Sequence, residues 1–437
     1  MQIDQTTLND LSLFNHDDEL SILHKLDFTR TTGGKSKLKY LLSHPLSSIS
    51  AITDVQKTIQ IIRQKKINLA ENITNGTLMV IHKFYEAVID EIPQRPTAAS
   101  TLSYTLLHNA DFSLVKYSAS HFADLITGID AMIKIYPEDE RPLPLQNLLL
   151  SASQLLNLEP FHVALNKKFK DFSNGEILQF VWHVRNEFKQ QIFQLADIFY
   201  QLDAWYSMAA ASEKFNLCFP EFIENNSPSV TAKGLYHLLL TEPVGYDITL
   251  DKDQNFIFLT GANMAGKSTF IKSVGAAVFL AHTGIGVPAK QMKLTFFDGM
   301  LSNINVMDNI VKGESYFFNE VQRIKNTIIK INDGKKWLVL IDELFKGTNV
   351  QDAMKCSTVV IKGLVKIPNS LYILSTHLYE IGDELQVYKN ISFRYFETSV
   401  NNEQLEFSYQ LKEGVSNDRL GYLILKREKV IELLESL

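Results

Sequence analysis

Apolar residues recur at three- and four-residue steps through the first half of the chain. That spacing predicts helices over 38–42, 52–62 and 102–107. Three prolines between Tyr136 and Leu145 predict a break. The longest periodic stretch runs from Ile177 to Phe215. Phe180, Val184, Phe188, Ile192, Leu195, Phe199 and Leu202 keep one face apolar. The expectation is one long helix that projects from a domain or bridges two, with two core helices joined at a bend as the alternative. Around Pro220 the pattern changes. Short apolar runs at 256–260, 337–341 and 371–375 alternate with helical segments, which predicts a parallel sheet covered by helices. The reading is therefore an α-helical domain over 1–219 and an α/β domain over 220–437.

Polar residues cluster at the ends of the three strands. After the first stands Gly261-Ala-Asn-Met-Ala-Gly-Lys-Ser-Thr269, which matches the phosphate-binding pattern G-x-x-x-x-G-K-[ST] between a strand and a helix starting near Lys267. Gly261 and Gly266 let the backbone turn tightly and aim N–H groups at one anion. Lys267 adds a mobile charge for the β- and γ-phosphates of ATP, and Ser268 a hydroxyl for Mg²⁺. The second strand ends in Asp342-Glu343, where Asp342 would hold Mg²⁺ and Glu343 would orient and deprotonate water. The third ends in Ser375-Thr-His377, with His377 placed to hydrogen-bond the γ-phosphate. Ser315 opens a helix carried on by Val321, Ile324, Ile328 and Ile331. It is first a cap, and gains interest only if a second subunit presents it to a neighbouring γ-phosphate.

The set of motifs resembles the MutS family of ATPases, the mismatch-repair branch of the ABC-type fold. The resemblance rests on Asn263 and Met264 in the phosphate loop and on Asp342, Glu343, Gly347, Thr348, Thr376 and His377. It also rests on Ser315, Phe317 and Glu320, which match the family's trans-acting serine motif. It implies an ABC-type P-loop ATPase domain with a mainly parallel sheet. ATP would be held by Gly261, Asn263, Met264, Gly266, Lys267, Ser268 and Thr269, and Mg²⁺ by Ser268 and Asp342. It further implies a homodimer with composite sites, each completed by the neighbour's Ser315. DNA and a repair protein are the partners it suggests. Residues 26–34 and 41–46, with Leu202, Asp203 and Pro220, look like the start and close of the family's lever domain. Tyr246 lies where the family packs the adenine; it could stack on the base or be a core tyrosine.

Composition and the missing pieces qualify this. The net charge is −6, and residues 1–215 hold 20 Lys and Arg against 24 Asp and Glu. Lys35, Lys37 and Lys39, or Lys167, Lys168 and Lys170, are the candidates for phosphate contacts, against a solvated helix face. Three Phe-x-Glu triplets, at 84–86, 222–224 and 318–320, lack the preceding glycine of the family's mismatch wedge and are read as coincidence. The chain is expected to open directly at the lever, without a mismatch-reading domain, and to have a short or absent C-terminal dimerisation piece. Two distant cysteines and a polar N-terminus lead to the expectation of a cytoplasmic protein with no membrane partner. Two functions stay open: an ATPase acting on DNA, and a nucleotide-gated interaction module with no DNA contact of its own.

Overall fold

The computed structural model describes residues 1–14, 20–65, 71–304, 316–401 and 404–416, with Val430 and Leu433. Two compact units account for it. The first combines residues 1–25, 45–52 and 214–437, and the second 26–44 and 53–213.

The first unit is built on ten strands: β1 (Glu221–Phe222), β2 (Val230–Leu235), β3 (Tyr246–Leu250), β4 (Phe256–Thr260), β5 (Gln291–Leu294), β6 (Gly299–Asn303), β7 (Trp337–Asp342), β8 (Ser370–Ser375), β9 (Ile391–Asn401) and β10 (Gln404–Glu413). A six-stranded sheet runs β10-β9-β4-β8-β7-β6. Its pairs are parallel except β9 with β10. β4, β6, β7 and β8 are buried at every position. That burial explains the apolar runs of β4, β7 and β8, since helices cover both faces of a parallel sheet. A smaller mixed sheet, β1-β5-β2-β3, alternates buried and exposed positions along β2, β3 and β5 and so has one solvated face. The Lys267–Thr283 helix is the unit's core helix. At Gly275 an added Cβ would stand 2.5 Å from the Leu340 side chain of β7 and 2.5 Å from that of Leu11, so a larger residue would push these buried leucines aside.

Leu11 marks the main departure from the expected boundary. The first 25 residues read as part of the helical half, yet they pack with the sheet. Gln2 bridges Gly299 in parallel at the sheet edge. Asp10, buried at the end of the Gln5–Asp10 helix, accepts hydrogen bonds from Ser302 Oγ (2.5 Å) and the Ile304 N–H (3.1 Å). These partners lie almost three hundred residues away, so no local periodicity could announce them. The expected boundary, at 220, falls six residues beyond the point where the first unit resumes.

The second unit is helical. Its helices include Thr32–Ser43, Asn75–Glu86, Ala98–Leu107, Asn109–Ile135, Leu143–Leu156, Glu159–Asn166 and Asn174–Asn186, and it takes in the Lys189–Lys214 helix up to Glu213. The Pro-rich break falls as expected at residues 136–142, between the Asn109–Ile135 and Leu143–Leu156 helices. The single long helix over 177–215 is not formed. Glu187 and Phe188 both donate backbone bonds to the His183 carbonyl, and the Phe188 ring meets Phe161. The helix breaks there, between Asn174–Asn186 and Lys189–Lys214, where the apolar stripe alone would have continued. Asp203, fully buried, accepts from the Arg30 and Thr31 N–H groups and from Thr31 Oγ1 (2.7 Å). Ser207 links Leu26 and Phe28. The start and close of this unit are thus pinned by buried side chains. No helix among the described residues is long and apolar enough to cross a membrane.

His282, fully buried in the core helix, has both ring nitrogens occupied: Nδ1 faces the Val278 carbonyl and Nε2 accepts from the Phe297 N–H. Burial lowers its pKa from 6.5 to about 4. Between those values the unfolded chain binds the proton and the folded chain does not. Stability is therefore full above pH 6.5 and falls as the pH drops toward 4. His282→Gln should be less stable than wild type at pH 7.5 in urea unfolding. The gap should narrow by on the order of 3 kcal/mol at pH 4; a pH-independent gap would contradict this.

Candidate functional site

The ends of β4, β7 and β8 meet because the strands are in register: Leu259 and Asp342 both pair with Ser375. In a parallel sheet this carboxyl edge is where ligands bind. The phosphate loop leaves β4 there. Gly261 (φ 138°) and Gly266 (φ 108°) take left-handed backbone, as does Met264 (φ 69°). Gly266 caps the core helix without any side-chain hydrogen bond, so the first-turn N–H groups face the loop.

Lys267 is 5% exposed. Its ammonium donates to the carbonyls of Gly261 (2.7 Å) and Ala262 (3.0 Å). Burial lowers its pKa, opposed by the Glu343 and Asp342 carboxylates. Asp342 takes two hydroxyl donors, Ser268 Oγ at 2.5 Å on one oxygen and Ser375 Oγ on the other. Ser268 and Asp342 form a hard-oxygen pair of the kind a divalent cation takes. The sequence reading places Ser375 at the strand tip without a role, since a serine there signals nothing until its partner is known.

Glu343 sits at φ 61° and donates its N–H to the Ser375 carbonyl. His377 lies 3.7 Å from its carboxylate and Lys346 3.3 Å. The His377 imidazole, then Lys346 and Lys267, hold Glu343 at about 2 against the burial that would raise it. The structure thus brings together Asn263, Met264, Gly266, Lys267, Ser268, Thr269, Glu343 and Tyr246 around one cavity of about 470 Å³, and Gly261 joins them through the Lys267 ammonium. Asp342 joins them through Ser268 and His377 through Glu343. Ser315 lies outside the described residues.

Tyr246 is 4% exposed, edge-on to Phe270 (5.3 Å) and Phe396 (5.7 Å). It lies beneath the loop as a core ring, its hydroxyl 3.8 Å from where a Gly266 Cβ would stand. The aromatic wall open to solvent is Tyr409 of β10, 41% exposed, with Leu240 and Val244 on the same cavity. Tyr409 was missed because β10 returns to the loop only through the antiparallel β9–β10 pairing.

Comparison with known proteins matches residues 257–432 to MutS domain V. The chain is 30% identical over 254 residues to the DNA mismatch repair protein MutS of Oceanobacillus iheyensis, covering 56% of this chain and 28% of that protein. It is 26% identical over 244 residues to MutS of Petrotoga mobilis, covering 55% and 30%. It is 31% identical over 252 residues to the DNA mismatch repair protein MSH3 of Candida glabrata, covering 55% and 24%. The chain therefore spans less than a third of the length of these relatives. The match to MutS domain V covers all the strand tips just described.

Proposed function

We propose that this chain binds and hydrolyses ATP at the edge formed by β4, β7 and β8. The observation that carries the reading is the convergence on one cavity of a helix-capping glycine loop, a buried lysine, the Ser268–Asp342 pair and an ionised Glu343. Lys267 would leave the Gly261 and Ala262 carbonyls for the β- and γ-phosphates. Ser268 and Asp342 would hold Mg²⁺, which when bound neutralises charge on the phosphate oxygens. Glu343 would orient a water for in-line attack and take its proton, while ADP leaves with the electron pair of the broken P–O bond. His377 would hydrogen-bond the γ-phosphate, and the base would lie against Tyr409. Two such sites would form in a homodimer, each completed by Ser315 of the other copy. The helical unit would serve as a lever domain, and the chain would act in mismatch repair or related DNA metabolism in the cytoplasm.

The runner-up is a nucleotide-gated interaction module without DNA contact. It is favoured by the pairing of three of the six candidate phosphate contacts: Lys35 lies 3.5 Å from Asp27, Lys37 3.3 Å from Asp197 and Lys167 2.8 Å from Glu176. Such pairs must be broken or displaced before those lysines can serve DNA phosphates.

Steady-state phosphate release should require Mg²⁺ and fall at least 100-fold in Lys267→Ala and in Glu343→Ala, with Glu343→Ala still binding ATP. Equal activity in either variant would sink the hydrolytic reading. Ser315→Ala should lower turnover about tenfold or more while ATP binding by the monomer persists. Mixing it with Lys267→Ala tests the shared site: one composite site in the mixed dimer keeps both residues, so partial activity should return. For DNA, titrating salt against binding to duplex, mismatched and branched substrates decides between the readings. A steep slope supports the first, and no binding at low salt with ATP supports the second.

A further inference from the structure

The helix Tyr316–Ile331 packs beside the loop that follows β7, and one residue joins them. Glu320 is 4% exposed. Its two carboxylate oxygens accept separate backbone N–H groups, Lys346 at 3.1 Å and Gly347 at 3.2 Å. Burial raises its pKa and those N–H bonds oppose the rise. A carboxylate buried only for packing would be costly, and an apolar side chain would fill the space at less cost. A two-oxygen acceptor matched to two adjacent N–H groups instead specifies the path of the loop.

That loop bears directly on Glu343. Two of its residues, Glu343 (φ 61°) and Phe345 (φ 60°), hold left-handed backbone that side chains other than glycine rarely adopt. Such backbone persists only where its surroundings enforce it. Here Phe345 is buried with its ring 5.7 Å from Phe317, and the helix backbone lies against Gly347, where an added Cβ would stand 2.7 Å from the Phe317 nitrogen. Lys346, between them, places its ammonium 3.3 Å from the Glu343 carboxylate. The same helix begins one residue after Ser315.

We infer that Glu320 is a positioning residue for ATP hydrolysis, tying the helix that follows Ser315 to the strained loop that aims Glu343. It touches neither nucleotide nor water. It acts by fixing the Lys346–Gly347 backbone beside Glu343. This rests on the reading of the site as an ATPase.

Glu320→Gln keeps the shape, loses one acceptor and turns an NH₂ group toward a backbone N–H. In the full chain, kcat should fall tenfold or more, since small misplacements of a reacting group cost about that much or more. Affinity for a fluorescent ATP analogue should stay within about threefold of wild type. Trypsin cleavage after Lys346, followed by mass spectrometry, should quicken. Glu320→Asp, which keeps the charge with a shorter reach, should fall between and serves if the Gln variant does not fold. An unchanged kcat with unchanged cleavage overturns the inference. So does a parallel loss of kcat and nucleotide affinity, which would mark general destabilisation. If the wild-type chain itself hydrolyses no ATP, the proposed function fails instead, and cleavage after Lys346 alone decides whether Glu320 holds the loop.

Discussion

The carboxylate of Asp342 holds the site together. It ends β7, and its two oxygens take hydroxyls from Ser268 on the phosphate loop and Ser375 on β8. A buried carboxylate oxygen that lost its hydroxyl donor would be left without a hydrogen bond, so the three elements are fixed as a set. The parallel register delivers them: Asp342 pairs with Ser375, and Leu259, next to the strand end from which the loop departs, pairs with the same residue. Moving any strand by one residue would turn these side chains to the opposite face of the sheet.

The same device recurs away from the site. Asp10 ties the N-terminal segment to β6, Asp203 closes the helical unit on Arg30 and Thr31, and Glu320 holds the loop after β7. In each case a carboxylate buried in its own unit accepts backbone N–H groups distant in sequence. Such acceptors give direction as well as energy, because N–H groups lie along fixed vectors and must be satisfied where water is excluded. The apolar core supplies most of the driving force; these few anions decide which segments meet.

The loop around Glu343 works against local preference. Glu343 and Phe345 both hold positive φ, and Glu343 is kept ionised by His377, Lys346 and Lys267.

Much of this was legible in the residues alone. The runs 256–260, 337–341 and 371–375 are buried on both faces in the structure, and a fully buried parallel strand writes itself as an unbroken apolar run. The glycines at 261 and 266 and the acids at 342 and 343 carry local chemistry that needs no partner to be recognised. Other features were hidden. The stripe from 177 to 215 records which face is buried, and one face can be buried by a straight helix or a broken one; the structure breaks it between Asn186 and Lys189. The first 25 residues look like part of a helical half because Gln2, Asp10 and Leu11 find their partners at 275–304, and pattern reading sees only neighbours. Ser375, Tyr409 and the role of Glu320 belong to the same class. Each is an ordinary residue locally, and tertiary structure alone sets it beside the group that gives it a role, because that role depends on distances between atoms that chain order does not encode.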